Sequence, residues 1–544
     1  MQIEPSPEQK EAISCTSNAV ITAKPGSGKT FVLSRMIAKE SEKLLSYQGV
    51  IAISYTNKAS DELEWRCRQL GIKRVRSFFG TISSFCLLEI IEPFLPHAMP
   101  NSSGVRLVDG KGFEGWKDVP SSNESPSVQS SIKSALSKGV LPIGALVPAA
   151  LWILEEAPQS AIYLKARFTS IFIDEYQDCG QYEHALVSKL LSLGLRAVVV
   201  GDLDQSIFQF AQKSPIYLEK FMEDSNFKRF EITQNYRCHK SIQRYATALL
   251  CPDPQDGGGI PFEEKRVIRL NMRGAEQDIA KLLESELKGF MAKFSVKHRN
   301  EVAVIAVSKR TLELFANALT IPYKLSPETE LEKKYSKWRH FLSALLAEFY
   351  NPARFGGDFL ERVTYLPRGS FARIKALDLL ENFFALKDNE LCMNRNLLLA
   401  FEIAKICLPD FEERDAKIAY RETVLDVKQL RNRYRPTEDN EINLLTYHKA
   451  KGLEFDVVFL LDTYKWILPN EYSKAPDSIR QALCMHYVGL TRARKAAFIL
   501  MGSKRTNYQM QRLDAVPSEF LERRGLEKLR RDVCWESYRG ELYS

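Results

Sequence analysis

The sequence predicts an α/β fold made of two parallel-sheet lobes, each interrupted by a helical insertion. Three observations carry this. Short apolar runs, closed by small, polar or acidic residues, alternate with helix-period segments, the pattern of a parallel sheet covered on both faces. The runs fall into two sets along the 544 residues. Between the sets lies Cys251-Pro-Asp-Pro-Gln-Asp-Gly-Gly-Gly259, whose composition is that of a linker.

In the first set, Ala19-Val20-Ile21-Thr22, Val50-Ile51-Ala52-Ile53, Ser170-Ile171-Phe172-Ile173 and Ala197-Val198-Val199-Val200 read as buried strands, with a helix expected from Phe31 to Leu45. The second set is Val302 to Val307, Asn443 to Thr446, Val457 to Leu461 and Ala497 to Leu500. Residues 87–164 and 327–439 break this rhythm with helical patterns, and Pro120 to Ser131 is rich in Ser and Pro. The expected division is therefore 1–86 with 165–250 as the first lobe, 87–164 as its insertion, 251–326 with 440–544 as the second lobe, and 327–439 as a reduced second insertion. No internal repeat is visible, so similar lobes would have to arise from dissimilar sequence.

Composition is that of a globular protein, 45% apolar and 26% charged. No apolar run approaches the roughly 20 residues of a membrane span. Met1 to Pro5 lacks the segments of a signal peptide. Ten scattered cysteines, with no C-x-x-C pair, argue against a zinc or iron–sulfur site and fit reduced thiols in a cytoplasmic protein. The net charge of +8 is compatible with a nucleic-acid partner without demanding one.

The chemistry begins at Ala23-Lys24-Pro25-Gly26-Ser27-Gly28-Lys29-Thr30, placed between a strand and a helix. Gly26 and Gly28 let the backbone curl so that successive N–H groups face phosphate oxygens, and the adjoining helix N-terminus adds a favourable dipole. Lys29 suits the β- and γ-phosphates and Thr30 suits Mg²⁺. Ala23 stands where the strict pattern has glycine. Asp174, at a strand end, is expected to hold Mg²⁺, with Glu175 beside it to orient or deprotonate water. A lone Asp-Glu would read as a solvated turn; paired with the loop, it reads as an ATP hydrolase.

Further segments give a resemblance. Asp174-Glu-Tyr-Gln-Asp178, Val200-Gly-Asp-Leu-Asp-Gln-Ser-Ile207, Thr233-Gln-Asn-Tyr-Arg237, Thr446-Tyr-His-Lys-Ala-Lys-Gly-Leu-Glu-Phe455 and Tyr487-Val-Gly-Leu-Thr-Arg-Ala-Arg494 stand in the order found in the UvrD/Rep branch of superfamily-one DNA helicases, and the sequence resembles that family over most of its length. The resemblance implies two RecA-like lobes, 1A and 2A, with insertions 1B and 2B, and ATP with Mg²⁺ as cofactors. It implies adenine contacts from Gln9, Phe31 and Tyr236, γ-phosphate contacts from Arg237 and Arg492, a ribose contact from Glu454, and Gln205 between phosphate and DNA. Gln177 and Asp178 would organise this network. DNA contacts are implied for Tyr55, Asn57, Lys58, Phe85, Phe208, Phe210, His448 and Lys451, with Lys449 nearby. Each aromatic taken singly reads equally as core, and Phe210 is the best stacking candidate.

The sequence also departs from that family. Phe31 replaces an arginine, Ala211 another arginine and Ser83 a histidine. About 200 residues separate Arg237 from Thr446, which shortens the second insertion and makes translocation a safer expectation than strong unwinding. The compact layout, with Glu89 to Phe94 and Asp462-Thr-Tyr464, resembles the helicase-like subunit of Gabija-type anti-phage systems, which implies an OLD-type, Toprim nuclease partner in a hetero-oligomer. The expected function is thus ATP-driven 3′-to-5′ movement on single-stranded or tailed double-stranded DNA, in defence. The alternatives are a repair helicase, or a regulatory subunit that senses ATP and DNA and gates a nuclease.

Overall fold

In the computed structural model the described residues are 4–55, 57–72, 76–100, 102, 104–108, 126–207, 213–251, 260–326, 328–333, 336–352, 354–364, 366, 369–409, 413–470 and 475–543. They form two parallel sheets and two helical modules, as the apolar runs predict. The strands in chain order are β1 (Ala19–Ala23), β2 (Gly49–Ile53), β3 (Phe78–Gly80), β4 (Arg106–Val108), β5 (Val140–Pro142), β6 (Phe168–Ile173), β7 (Arg196–Gly201), β8 (Lys228–Ile232), β9 (Val267–Met272), β10 (Val302–Ala306), β11 (Tyr323–Leu325), β12 (Ile442–Thr446), β13 (Phe455–Leu460), β14 (Ala493–Gly502), β15 (Lys504–Thr506), β16 (Arg512–Asp514) and β17 (Arg531–Cys534). The first sheet is ordered β3-β2-β6-β7-β1-β8 and the second β11-β12-β10-β13-β14-β9-β17.

Apart from the extra edge strand β11, the two orders coincide position for position: β1 with β9, β2 with β10, β3 with β12, β6 with β13, β7 with β14 and β8 with β17. The similarity reaches single residues. Asp174 N–H donates to the Ile53 carbonyl at 3.0 Å, and Leu461 N–H donates to Ile305 at 2.8 Å. The residue after each, Glu175 and Asp462, has a left-handed backbone, φ 57° and φ 62°. Two lobes of one plan have therefore been built from unlike sequences.

The lobes part company beyond β1 and β9. After β1 comes the glycine loop and the helix Lys29–Ser41. After β9 the chain makes a short turn through Gly274, and the helix Glu276–Lys293 begins with acid. The Ala275 N–H donates to Asp278 Oδ2 (3.0 Å), and Thr506 Oγ1 donates to Glu276 Oε2 (2.6 Å). Asp462 turns to a different helix: its Oδ2 accepts from Val307 and Ser308 N–H (3.0 and 3.3 Å) and its Oδ1 from Thr311 Oγ1 (3.0 Å), which satisfies the start of Lys309–Ala316.

The first module carries the helices Pro126–Ser137, Leu146–Glu156 and Pro158–Arg167 with the small β4–β5 pair. It is joined to the first lobe through a π-helical stretch, Cys86–Ile91. The second module, from Lys337–Phe349 to Val427–Tyr434, is helical with its own core around Trp338, Phe341, Leu380 and Ile403. Lys337 of the second module and Glu92 of the first form an ion pair. Among the described residues no helix is long and apolar enough to cross a membrane.

Candidate nucleotide site between the lobes

The glycine loop connects β1 to Lys29–Ser41. Gly26 and Gly28 have φ of 73° and 88°, which favours glycine. Side chains are also excluded there by space: a Cβ on Gly26 would lie 2.4 Å from Arg237 Cβ, and one on Gly28 would lie 2.9 Å from Gln9 Nε2. The loop is braced from outside. Asn235 Nδ2 donates to the Pro25 carbonyl (2.8 Å), Tyr236 N–H to Gly26 O (2.9 Å), and Gln9 Nε2 to Ser27 O (2.8 Å). Lys24 pairs with Asp204 at 2.5 Å. Tyr236 is exposed beside the loop, and the Arg35 guanidinium stacks 3.5 Å from the Phe31 ring centre.

Because β6 and β7 lie on the loop's side of the sheet, with β7 next to β1, their C-terminal ends bring carboxylates to the loop. Thr30 Oγ1 stands 3.5 Å from Asp174 Oδ2, and Lys29 Nζ stands 3.4 Å from Glu175 Oε1. Burial, and then the adjacent Glu175, push Asp174 up to about 6. Burial also opposes the charge of Glu175, but Lys29 and Lys451 outweigh it and hold that carboxyl down at about 2. Burial pulls Lys29 down, while Glu175, Asp202 and Asp174 more than compensate and keep its ammonium above the ordinary value. Gln177 ties the carboxylates together: Nε2 donates to Glu175 Oε2 (2.5 Å) and Oε1 accepts from Asp202 N–H (2.9 Å).

The second lobe reaches into the same place. Lys451 Nζ donates to Asp178 Oδ2 (2.5 Å) and to the Gln205 carbonyl (2.8 Å), and lies 3.8 Å from Glu175. Arg492 Nη2 donates to Gln205 Oε1 (3.2 Å), while Gln205 Nε2 donates to Asp202 Oδ2 (2.6 Å). Arg492 is fully buried, also donating to the Val488 and Leu453 carbonyls; burial and then Arg237 lower it to about 10. Arg237 Nη2 pairs with Glu454 Oε1 at 2.5 Å. The structure thus gathers Gln9, Ala23 to Phe31, Asp174, Glu175, Gln205, Tyr236, Arg237, Glu454 and Arg492 around one cleft.

The residues expected on DNA are not gathered in the same way. Phe85 is a core side chain, because its ring is completely buried edge-on between Phe78 (5.3 Å) and Phe168 (6.1 Å). Lys451 is a cleft residue, drawn there by Asp178, Glu175 and the Gln205 carbonyl. Tyr55 is half-buried just beyond the end of β2, with Lys213 Nζ 5.6 Å from its ring. His448 packs against the Ile207 backbone, and Lys449 Nζ donates to the Ser326 carbonyl (2.7 Å). Phe208 and Phe210, and the side chains of Asn57 and Lys58, lie outside the described residues.

Comparison with known proteins adds the family. Residues 9–211 match the AAA domain family, and residues 406–504 match the UvrD-like helicase C-terminal domain. The chain thus carries one segment similar to AAA domains and a second similar to the C-terminal domain of UvrD-like helicases. It is similar to the Gabija protein GajB of Bacillus cereus (strain VD045), 24% identical over 91% of this chain and 95% of that protein. It is also similar to the ATP-dependent DNA helicase Rep of Buchnera aphidicola subsp. Acyrthosiphon pisum, at 23% over 97% and 98%, and to PcrA of Staphylococcus epidermidis, at 23% over 95% and 86%. The chain is thus similar over most of its length to ATP-dependent DNA helicases, and its two lobes meet at the glycine loop. Lys451, expected on DNA, stands in the cleft on partners 273 and 246 residues away in sequence.

Proposed function

We propose that this chain is a UvrD-like, ATP-driven translocase and helicase on single-stranded DNA, moving 3′-to-5′, and that it is the motor subunit of an anti-phage complex with a nuclease partner. The observation that carries the motor is the convergence of Lys451 and Arg492 from one lobe on Glu175, Asp178 and Gln205 of the other. A charge change at the phosphate site must alter contacts that hold the lobes together.

In the cleft Glu175 is the group for the attacking water. Its ionised carboxylate accepts a proton from water as the oxygen attacks the γ-phosphorus and the bond to the β–γ bridging oxygen breaks, with ADP and phosphate as products. Lys29, Arg237 and Arg492 offset the charge on the phosphates. Thr30 and Asp174, 3.5 Å apart beside a loop that excludes Cβ atoms, fit a Mg²⁺ ion, which would neutralise phosphate charge when bound. Mutual orientation of Gln205, Asp202 and Arg492 keeps the two lobes in register.

The defence role is supported by similarity to GajB over nearly the whole length of both chains. The test is hydrolysis by the purified chain with and without single-stranded DNA, then unwinding of 3′- and 5′-tailed duplexes. Strong stimulation with preference for the 3′ tail is expected. Hydrolysis indifferent to DNA would overturn the motor reading and favour a regulatory subunit.

A further inference from the structure

The one-turn helix Tyr447–Ala450, with Lys451 and Gly452 after it, sends side chains to four different parts of the molecule. Tyr447 is fully buried against Gly489, where a Cβ would lie 2.4 Å from the Tyr447 ring; Gly489 accepts from the Arg492 N–H. His448 packs on the Ile207 backbone. Lys451 crosses to Asp178, Gln205 and Glu175. Lys449, two residues earlier, reaches the Ser326 carbonyl at 2.7 Å. Ser326 comes directly after β11, where the chain leaves the second lobe for its helical module.

That root is already clamped. Lys324 Nζ donates to the Arg431 and Arg435 carbonyls (2.9 and 2.5 Å) at the end of the returning helix Val427–Tyr434, and Thr329 Oγ1 lies 3.2 Å from Tyr434 Oη. Neither clamp touches the cleft. The Lys449–Ser326 contact is tied to it, because Lys449 and Lys451 share a turn fixed at its start by the Thr446 cap and the buried Tyr447 and at its end by the buried Ala450. A turn this short cannot tilt at one lysine without moving the other.

We propose that Lys449 is a positioning residue that transmits the state of the catalytic cleft to the root of the second helical module. Displacement of Lys451, as phosphate charge appears near Glu175, rotates the turn and shifts Ser326 through Lys449. The inference rests on the ATPase reading above, and its test separates the two. Hydrogen–deuterium exchange would be measured on the full chain with and without a non-hydrolysable ATP analogue and Mg²⁺, in wild type, Lys449→Ala and Lys449→Arg.

In wild type, exchange should slow in the phosphate-loop helix 29–41 and change by about threefold or more in peptides covering 323–333. In Lys449→Ala the loop helix should still be protected, which also reports a folded protein, while the response at 323–333 disappears; Lys449→Arg should restore it. A root that responds in Lys449→Ala as it does in wild type overturns the proposal, as does a wild-type root that stays unchanged while the loop is protected. Absence of protection at 29–41 in wild type would overturn the ATPase reading itself.

Discussion

Glu175 is held in a backbone conformation that its residue type would not choose alone. A left-handed backbone at a non-glycine residue costs on the order of 1–3 kcal/mol, yet its N–H donates to Asp174 Oδ1 (2.9 Å) and its carbonyl accepts from Asp178 N–H (3.0 Å), which fixes it. Glu175→Gln keeps the shape and removes the base. Hydrolysis is expected to fall by about 10²–10⁴-fold while equilibrium binding of a fluorescent ATP analogue persists; unchanged turnover would refute the assignment. Lys451→Met separates a cleft lysine from a DNA lysine. ATPase should drop on the order of 100-fold, as for loss of a preorganised charge, with single-stranded DNA affinity changed only a few-fold by filter binding. The opposite pattern would return Lys451 to the DNA path. That the glycine loop and the Asp174-Glu175 pair would meet was legible, because each is a compact motif of neighbours in sequence at the end of a strand. Lys451 was not, since a lysine carries the same charge whether it meets DNA or Asp178, and Phe85 has the same ring on a platform or in a core.

At the scale of elements, long apolar strands such as β6, β7 and β13 declared themselves. The short β3, β11 and β17 were missed, and so were β9, whose apolar run is broken by Arg269 and Asn271, and β8, where exposed and buried residues alternate along a charged edge strand. The helix expected from Phe31 begins two residues earlier, at Lys29, because the left-handed Gly28 lets the loop pass directly into it. Phe85→Ala should cost about 3–5 kcal/mol in chemical denaturation, the usual penalty for deleting a buried aromatic ring; a cost within error would mean that the ring is not core. The cap on Lys309–Ala316 offers a pH test. Burial is the main reason Asp462 is pushed up to about 6, and the hydrogen bonds from Ser308, Thr311 and Val307 only partly oppose it. A folded-state value above the ordinary one means that its contribution is full below about pH 4 and declines as pH rises through 6. Asp462→Asn, which can accept from the same N–H groups, should therefore gain stability relative to wild type between pH 4 and 7, whereas Asp462→Ala should lose about 1–3 kcal/mol for its orphaned donors. Melting curves across that range decide it.

For the whole molecule, the two-lobe architecture was readable from two sets of apolar runs, but the equivalence of the lobes was not. It resides in strand order and in two backbone hydrogen bonds, neither of which leaves a sequence signature. A ligand touching both lobes should stabilise the chain as one unit. At about a hundred times its Kd, a non-hydrolysable ATP analogue should add about 2.7 kcal/mol, seen as a rise in Tm, and Arg492→Ala should show a smaller rise at the same concentration. The turn after β9 bears on how many such ligands there are. There the helix N-terminus meets Asp278 and Glu276, acids carried by the chain itself, where the first lobe offers Lys29 and Thr30. A tethered carboxylate competes at an effective concentration of the order of millimolar or above, and it repels a triphosphate besides. The second copy of the plan is thus permanently supplied with its own anion. Titration should return a stoichiometry of one nucleotide per chain, which would give each cycle of the proposed motor a single clock.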